Sequence, residues 1–192
     1  MYNVSNVERG VAVASIMITI DAEQFRRIID ASIVKPRLKR ELRFVPSTEN
    51  MSESDWAQTE MIAIKDRSGN NGVLIVSLES GMYVLPFAIK SLGKSATTGR
   101  AQPIICDICV TWQSGSRAGS ITFIGAKKST SNVAYLCCAD LACSRHVRTK
   151  TDASKMSRAQ LREDLDNEQR VQRLRSRLED IMRYLQAVPI EA

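Results

Sequence analysis

All five cysteines and the single histidine of this 192-residue chain fall between Cys106 and His146, and that clustering constrains the fold more than any other feature. The stretch opens with Cys106-Asp-Ile-Cys109. After an interval containing Gly115, Gly119 and Gly125 it closes with Val133-Ala-Tyr-Leu-Cys137-Cys138-Ala-Asp-Leu-Ala-Cys143-Ser-Arg-His146. Zinc takes four soft or borderline ligands in a tetrahedron, and a C-x-x-C turn supplies two of them. Cys106 and Cys109 form one such pair. The second comes from 137–146, which reads as a strand running into a helix. In a strand, Val133, Tyr135 and Cys137 share one face and Ala134, Leu136 and Cys138 the other, so only one cysteine of the doublet faces a metal easily. Asp140 is the expected N-cap, placing Cys143 in the first helical turn, where amide dipoles favour a thiolate. The preferred set is Cys106, Cys109, Cys138 and Cys143, with His146 as substitute if Cys138 points away and otherwise a solvated or core histidine, the commoner role. Four protein ligands leave no position for water, so one structural zinc per chain is expected.

Two other readings compete. Cysteine is often a small core residue, which would make these buried free thiols. A redox C-x-x-C normally opens a helix after a strand, whereas the residues on both sides of Cys106 and Cys109 read as extended. A second pair that follows at a hairpin's distance and starts a helix favours metal over both. A knuckle, a hairpin of 120–124 with 133–137, and a helix with a ligand in its first turn together make a treble clef.

These residues resemble a known family. Cys106-Asp-Ile-Cys109, then Tyr135-Leu-Cys-Cys138-Ala-Asp-Leu-Ala-Cys143-Ser and a basic helical segment, are similar to the C-terminal treble-clef zinc-finger domain of the elongation factor G-binding proteins. This is the family of the FusB-type fusidic acid resistance proteins. The likeness extends upstream to about Asp21, and the Cys-Ala-Asp-Leu-Ala-Cys-Ser string is its most specific part. The resemblance implies a zinc held by Cys106, Cys109, Cys138 and Cys143. It also implies a partner, the translocase elongation factor G, which the family's resistance members bind and help to leave a stalled ribosome, without covalent chemistry. Cys137 stands where the family pattern implies an aliphatic residue. The resistance proteins also carry a helical bundle ahead of this part, where about twenty residues precede Asp21 here. Arg145 and Arg148, basic residues beside the metal, are the expected partner contacts.

The net charge of +6 points to an acidic partner such as rRNA, a translation factor or an anionic membrane. Aromatic residues make up only 5%, so the core rests on aliphatics and a zinc staple helps it. No run is long enough to span a bilayer. Residues 11–20 are apolar but lack a cleavage motif, so they read as a leader or strand in a cytoplasmic protein; a true start at Met17 is the other explanation.

The pattern predicts an α+β fold: a small antiparallel β-meander with a helix, packed on a treble-clef zinc finger and followed by a long C-terminal amphipathic helix. The expected divisions are a leader (1–20), an α+β subdomain (21–100), the zinc module (101–150) and the C-terminal helix (151–192). Asp21 and Gln24 form a capping box for a helix over 22–34 with Phe25, Ile28, Ile29 and Ile33 on one face, ending before Pro36. The basic run 35–43 reads as a loop that is solvated or touches RNA or acidic protein, and 46–55 as a polar turn. Strands are expected over 61–64, 73–78 and 83–89, with Pro86 on an edge, then a loop over 91–102. Gly93-Lys94-Ser95 is no phosphate loop, because Ala88 stands where one needs glycine. Ser157 is the expected cap of a helix whose stripe is Leu161, Leu165, Val171, Leu174, Leu178, Ile181 and Leu185, folded back on the domain.

Catalytic constellations are missing: one histidine sits beside the expected metal, and H-E-x-x-H and G-x-S-x-G are absent. The leading expectation is a non-enzymatic zinc adaptor for elongation factor G, with no small-molecule substrate. The alternative is a zinc-ribbon-like RNA or ribosome binder using 35–43 and the C-terminal arginines on phosphates.

Overall fold

The computed structural model describes residues 19–44, 48, 50–95, 97–125, 132–149 and 164–190. Most of the leader, Met17, Ser157 and Leu161 lie outside them. Helix α1 (Ala22–Ala31) begins with the expected capping box. Gln24 N–H donates to Asp21 Oδ1 at 2.7 Å and Asp21 N–H to Gln24 Oε1 at 2.9 Å, which satisfies two amides that a helix start leaves free. The helix buries Phe25, Ile28 and Ile29 but stops short of 34. Ser32 turns extended there, and its N–H and hydroxyl both donate to the Ile29 carbonyl. Ile33 therefore leaves the apolar stripe and is 65% exposed.

The run 35–43 corrects the loop reading, because it contains a second helix, α2 (Pro36–Glu41). Pro36 occupies its first turn, where a missing N–H costs nothing and the fixed φ suits a helix. A third, α3 (Glu53–Ala57), corrects the turn expected near 55. Ser52 and Asp55 cap it reciprocally, and it buries Trp56.

Strands β1 (Met61–Lys65), β2 (Asn71–Leu78) and β3 (Gly81–Ser91) form the meander. The chain then passes through a short ribbon, β4 (Ile104–Ile105) with β5 (Trp112–Gln113), into the hairpin β6 (Ala118–Phe123) and β7 (Val133–Cys138). The hairpin joins the meander in one antiparallel sheet of order β1-β2-β3-β6-β7. Pro86 lies in the central strand β3, not on an edge. It is tolerated because its carbonyl accepts from Ile124 N–H at 3.0 Å, one residue beyond the last β3–β6 pair, Phe87 with Phe123; the missing donor falls where that ladder ends. Gly72 is required by close approach, since a Cβ there would lie 2.2 Å from the Ile64 carbonyl oxygen.

Period-two alternation sorts the strand side chains into two cores. Ile62, Ile64, Val73, Ile75 and Val84 face α1 and Trp56. Leu74, Val76, Leu85, Phe87, Ile121 and Phe123 face the cysteines and the C-terminal helix α5 (Asn167–Tyr184). Its cap is Asp166, boxed with Gln169, and Leu165 lies just ahead of it. Helix α5 buries Leu174, Leu178, Ile181 and Met182, so its stripe packs on the sheet as expected. Beyond it Ile190 N–H donates to the Met82 carbonyl at 2.7 Å. Among the described residues no helix is long and apolar enough to cross a membrane.

Candidate metal centre

Two backbone turns bring four thiols together. In the first, the ribbon β4–β5 holds Cys106 and Cys109 at its tip; Val110 N–H donates to the Cys106 carbonyl at 2.8 Å and Cys109 N–H reaches the Cys106 sulfur at 3.5 Å. In the second, Leu141 N–H donates to the Cys138 carbonyl at 3.0 Å, and Cys143 opens α4 (Cys143–Val147). Val110 and Leu141 both adopt positive φ, 56° and 57°. This left-handed conformation costs a non-glycine residue about 1–2 kcal/mol, so both turns hold strain that the surrounding contacts must offset. The N-cap of α4 is Ala142, not Asp140, and no side chain caps it. Asp140 instead accepts Ala142 N–H at 3.0 Å, which shapes the approach to the helix.

The sulfurs of Cys106, Cys109, Cys138 and Cys143 lie within 4.8 Å of one another, with Cys109 and Cys138 at 3.5 Å. A tetrahedral zinc with Zn–S bonds of about 2.3 Å separates its sulfurs by about 3.8 Å, so the cluster fits. Exposure of the four is 0–1%. Four buried thiols this close are suited to one structural zinc ion; bound there, the metal would supply cross-links between β4–β5, β7 and α4 rather than an open position for chemistry.

The protonation pattern of the bare cluster follows from its packing. Burial opposes a charge on Cys109, but hydrogen bonds from Cys106, Cys138, Cys143 and His146 hold its pKa well below the ordinary thiol value. Hydrogen bonding to the Cys106 and Cys109 sulfurs pushes the Cys138 and Cys143 pKa values up, with burial adding to it. Packing thus favours the charged form at Cys109 over Cys138 and Cys143. Cys137 lies on the opposite face of β7, across the pair from Gly119, where a Cβ on the glycine would sit 3.3 Å from its sulfur. Burial raises its pKa to about 12. It acts as a small core residue where an aliphatic one was expected.

A polar shell behind the sulfurs had no counterpart in the sequence reading. The Thr111 hydroxyl lies 3.0 Å from the Cys109 sulfur and accepts from Gln113 Nε2 at 2.9 Å. His146, fully buried, places Nδ1 3.2 Å from the Cys138 sulfur and Nε2 3.2 Å from Asp140 Oδ2. Burial works against its charge, yet Asp140 and the Cys109 thiolate raise its pKa to about 9. A carboxylate, an imidazole and the Cys138 sulfur in line form a support that orients a ligand and tunes its basicity. His146 was expected as a substitute ligand or a solvated or core residue; it is buried as the partner of Cys138. The i, i+3 spacing from Cys143 was the only signal of it.

Of the two basic residues beside the metal, Arg145 is exposed. Arg148 is held inside: its two Nη atoms donate to Glu60 at 2.8 and 2.6 Å, and Nη1 also donates to the Ser144 carbonyl. The Ser144 hydroxyl in turn accepts Glu60 N–H at 3.0 Å and Met61 N–H at 3.3 Å. Lys65 Nζ donates to the Ala139 carbonyl at 2.9 Å, so the first strand of the sheet meets the turn after the last.

No curated protein and no solved structure matches the chain. A family model described as the FBP C-terminal treble-clef zinc-finger matches residues 29–185. That span takes in the meander, both cysteine turns and all of α5, and the chain belongs to that family.

Proposed function

We propose that this protein is a cytoplasmic, non-enzymatic adaptor, stapled by one zinc, that binds elongation factor G and modulates its release from the ribosome. The observation that carries this reading is the closed four-thiol site in a chain of the treble-clef family. Sulfurs with at most 1% exposure offer no position to a substrate, so the metal acts on the protein's own shape. The partner comes from the elongation factor G-binding proteins that the chain resembles.

Zinc would fix the angle between the sheet and α4, which presents Arg145. Around the first cysteine turn Ile105 and Tyr184 are 58% and 59% exposed and line a hollow of about 560 Å³ together with Tyr135 and Arg177. Apolar side chains rimmed by charge are the usual make-up of a protein contact. Arg145 is the contact charge in this proposal, and Arg148 belongs to the scaffold that aims it.

The test is capture of elongation factor G, free and ribosome-bound, by zinc-loaded protein. Arg145→Glu is expected to weaken capture at least about tenfold while zinc stays bound, and Cys109→Ser to lose both. Zinc-loaded protein that captures neither form of the factor would end the proposal.

A further inference from the structure

We propose that the cleft between α2 and the β1–β2 turn is a docking groove for an acidic peptide segment that also carries aliphatic side chains. The cleft encloses about 900 Å³, within the range of built binding pockets. Lys35, Arg37, Arg40 and Arg43 line it from α2 and its flanks, and Arg67 from the turn opposite; all five are exposed. The carboxylates among the described lining residues, Glu41 and Asp66, are already engaged. Glu41 pairs with Arg37 Nε at 3.1 Å. Asp66 accepts from the Ser68 hydroxyl at 2.7 Å and Asn71 Nδ2 at 3.0 Å within its own turn. Lys35, Arg40, Arg43 and Arg67 have no ion-pair partner among the described residues. Five cations against two carboxylates leave the lining net positive, a field that an anionic segment complements.

The lining between these charges selects the class of anion. Ile33, Leu38, Pro86 and Ile124 give it aliphatic side chains, and Ile33 is there because α1 ends at Ala31, three residues early. The only aromatic among the described lining residues, Phe87, is 0% exposed. Nucleic-acid grooves of this kind hold bases by stacking on exposed aromatic faces, which this cleft lacks. Leucine or isoleucine side chains fit the aliphatic lining, and neighbouring aspartates or glutamates reach the arginines. None of the four clustered cysteines lines the cleft, so the groove is independent of the capture reading above.

The experiment measures fluorescence anisotropy with the full zinc-loaded chain. The probes are a labelled peptide of repeated Asp-Glu-Leu triplets, a glutamate homopeptide of the same length, and an oligouridylate. The triplet peptide is expected to bind tightest. Arg40→Glu with Arg67→Glu should weaken it at least about tenfold and Ile33→Ser several-fold, with zinc content and urea midpoint unchanged because all three side chains are exposed. If the charge-reversed protein fails to fold, Ile33→Ser carries the test alone. Absent binding, equal affinity for the homopeptide, indifference to the substitutions, or tighter oligouridylate binding would each overturn the proposal.

Discussion

Glu60 and Arg148, 88 residues apart, form a two-point ion pair at 2.6 and 2.8 Å, with the Glu60 side chain only 1% exposed. Arg175 of α5 approaches the same carboxylate at 3.5 Å. One buried carboxylate thus ties the edge of β1 to the ligand-bearing helix α4 and to the C-terminal helix. Removing it would leave two guanidiniums with 13% and 16% exposure without their counter-charge, and breaking one side of a buried pair costs about 3–5 kcal/mol. Glu60→Gln is therefore expected to lower the urea unfolding midpoint by that equivalent. A change no larger than that of a surface substitution would mean the pair is effectively solvated.

The five cysteines should separate into four that hold metal and one that does not. Cys109→Ser is expected to leave less than stoichiometric zinc and a chain that unfolds early, since structural zinc supplies folding energy directly. Cys137→Ala should keep one zinc per chain and lose about 1 kcal/mol of packing. Metal analysis of these variants beside Cys138→Ala decides it; zinc lost with Cys137 and kept without Cys138 would reverse the assignment. Chelator treatment of the wild type should lower the melting temperature and expose thiols to alkylation that the loaded form resists.

The metal cluster was legible because thiol spacing is local chemistry: a C-x-x-C turn, strand alternation at Cys137 and Cys138, and a helix start at Cys143 each need only a few neighbouring residues. The meander and the stripe of α5 were legible for the same reason. Helix α2 was read as a loop because proline ends a helix before it and begins one after it with equal ease; the first of these was foreseen at Pro36 and the second was not. Ser52 and Asp55 carried a capping signal that the polar composition around them masked. Arg148 reads as a free cation in sequence, since its partner Glu60 is brought to it only by the curl of the sheet. Thr111, Gln113 and Asp140 were invisible as sulfur support because hydrogen bonding across elements leaves no periodic trace.

Zinc binding should release protons and strengthen with pH. In the metal-free chain the pKa values of Cys138 and Cys143 are raised, so at neutral pH both are thiols, while hydrogen bonds from its neighbours lower that of Cys109. Zinc takes thiolates. Each raised thiol must lose its proton, and affinity therefore climbs as pH rises towards their pKa values. Calorimetry in buffers of differing ionisation enthalpy is expected to give at least about two protons released per zinc. A value near zero would show that the cluster is already deprotonated.

His146→Gln tests the support behind the sulfurs. The imidazole bridges the Cys138 sulfur and the Asp140 carboxylate at 3.2 Å on each side, and glutamine keeps a donor but cannot hold both contacts in line. Outer-shell partners of this kind are worth about 10–100-fold in metal affinity. The variant is expected to bind one zinc per chain with affinity lowered within that range in competition with a chromogenic chelator. Asp140→Asn should fall between it and wild type, because the ring stays but its carboxylate partner loses its charge. Loss of stoichiometric zinc in His146→Gln would instead make the histidine a ligand, and an unchanged affinity would reduce it to core packing.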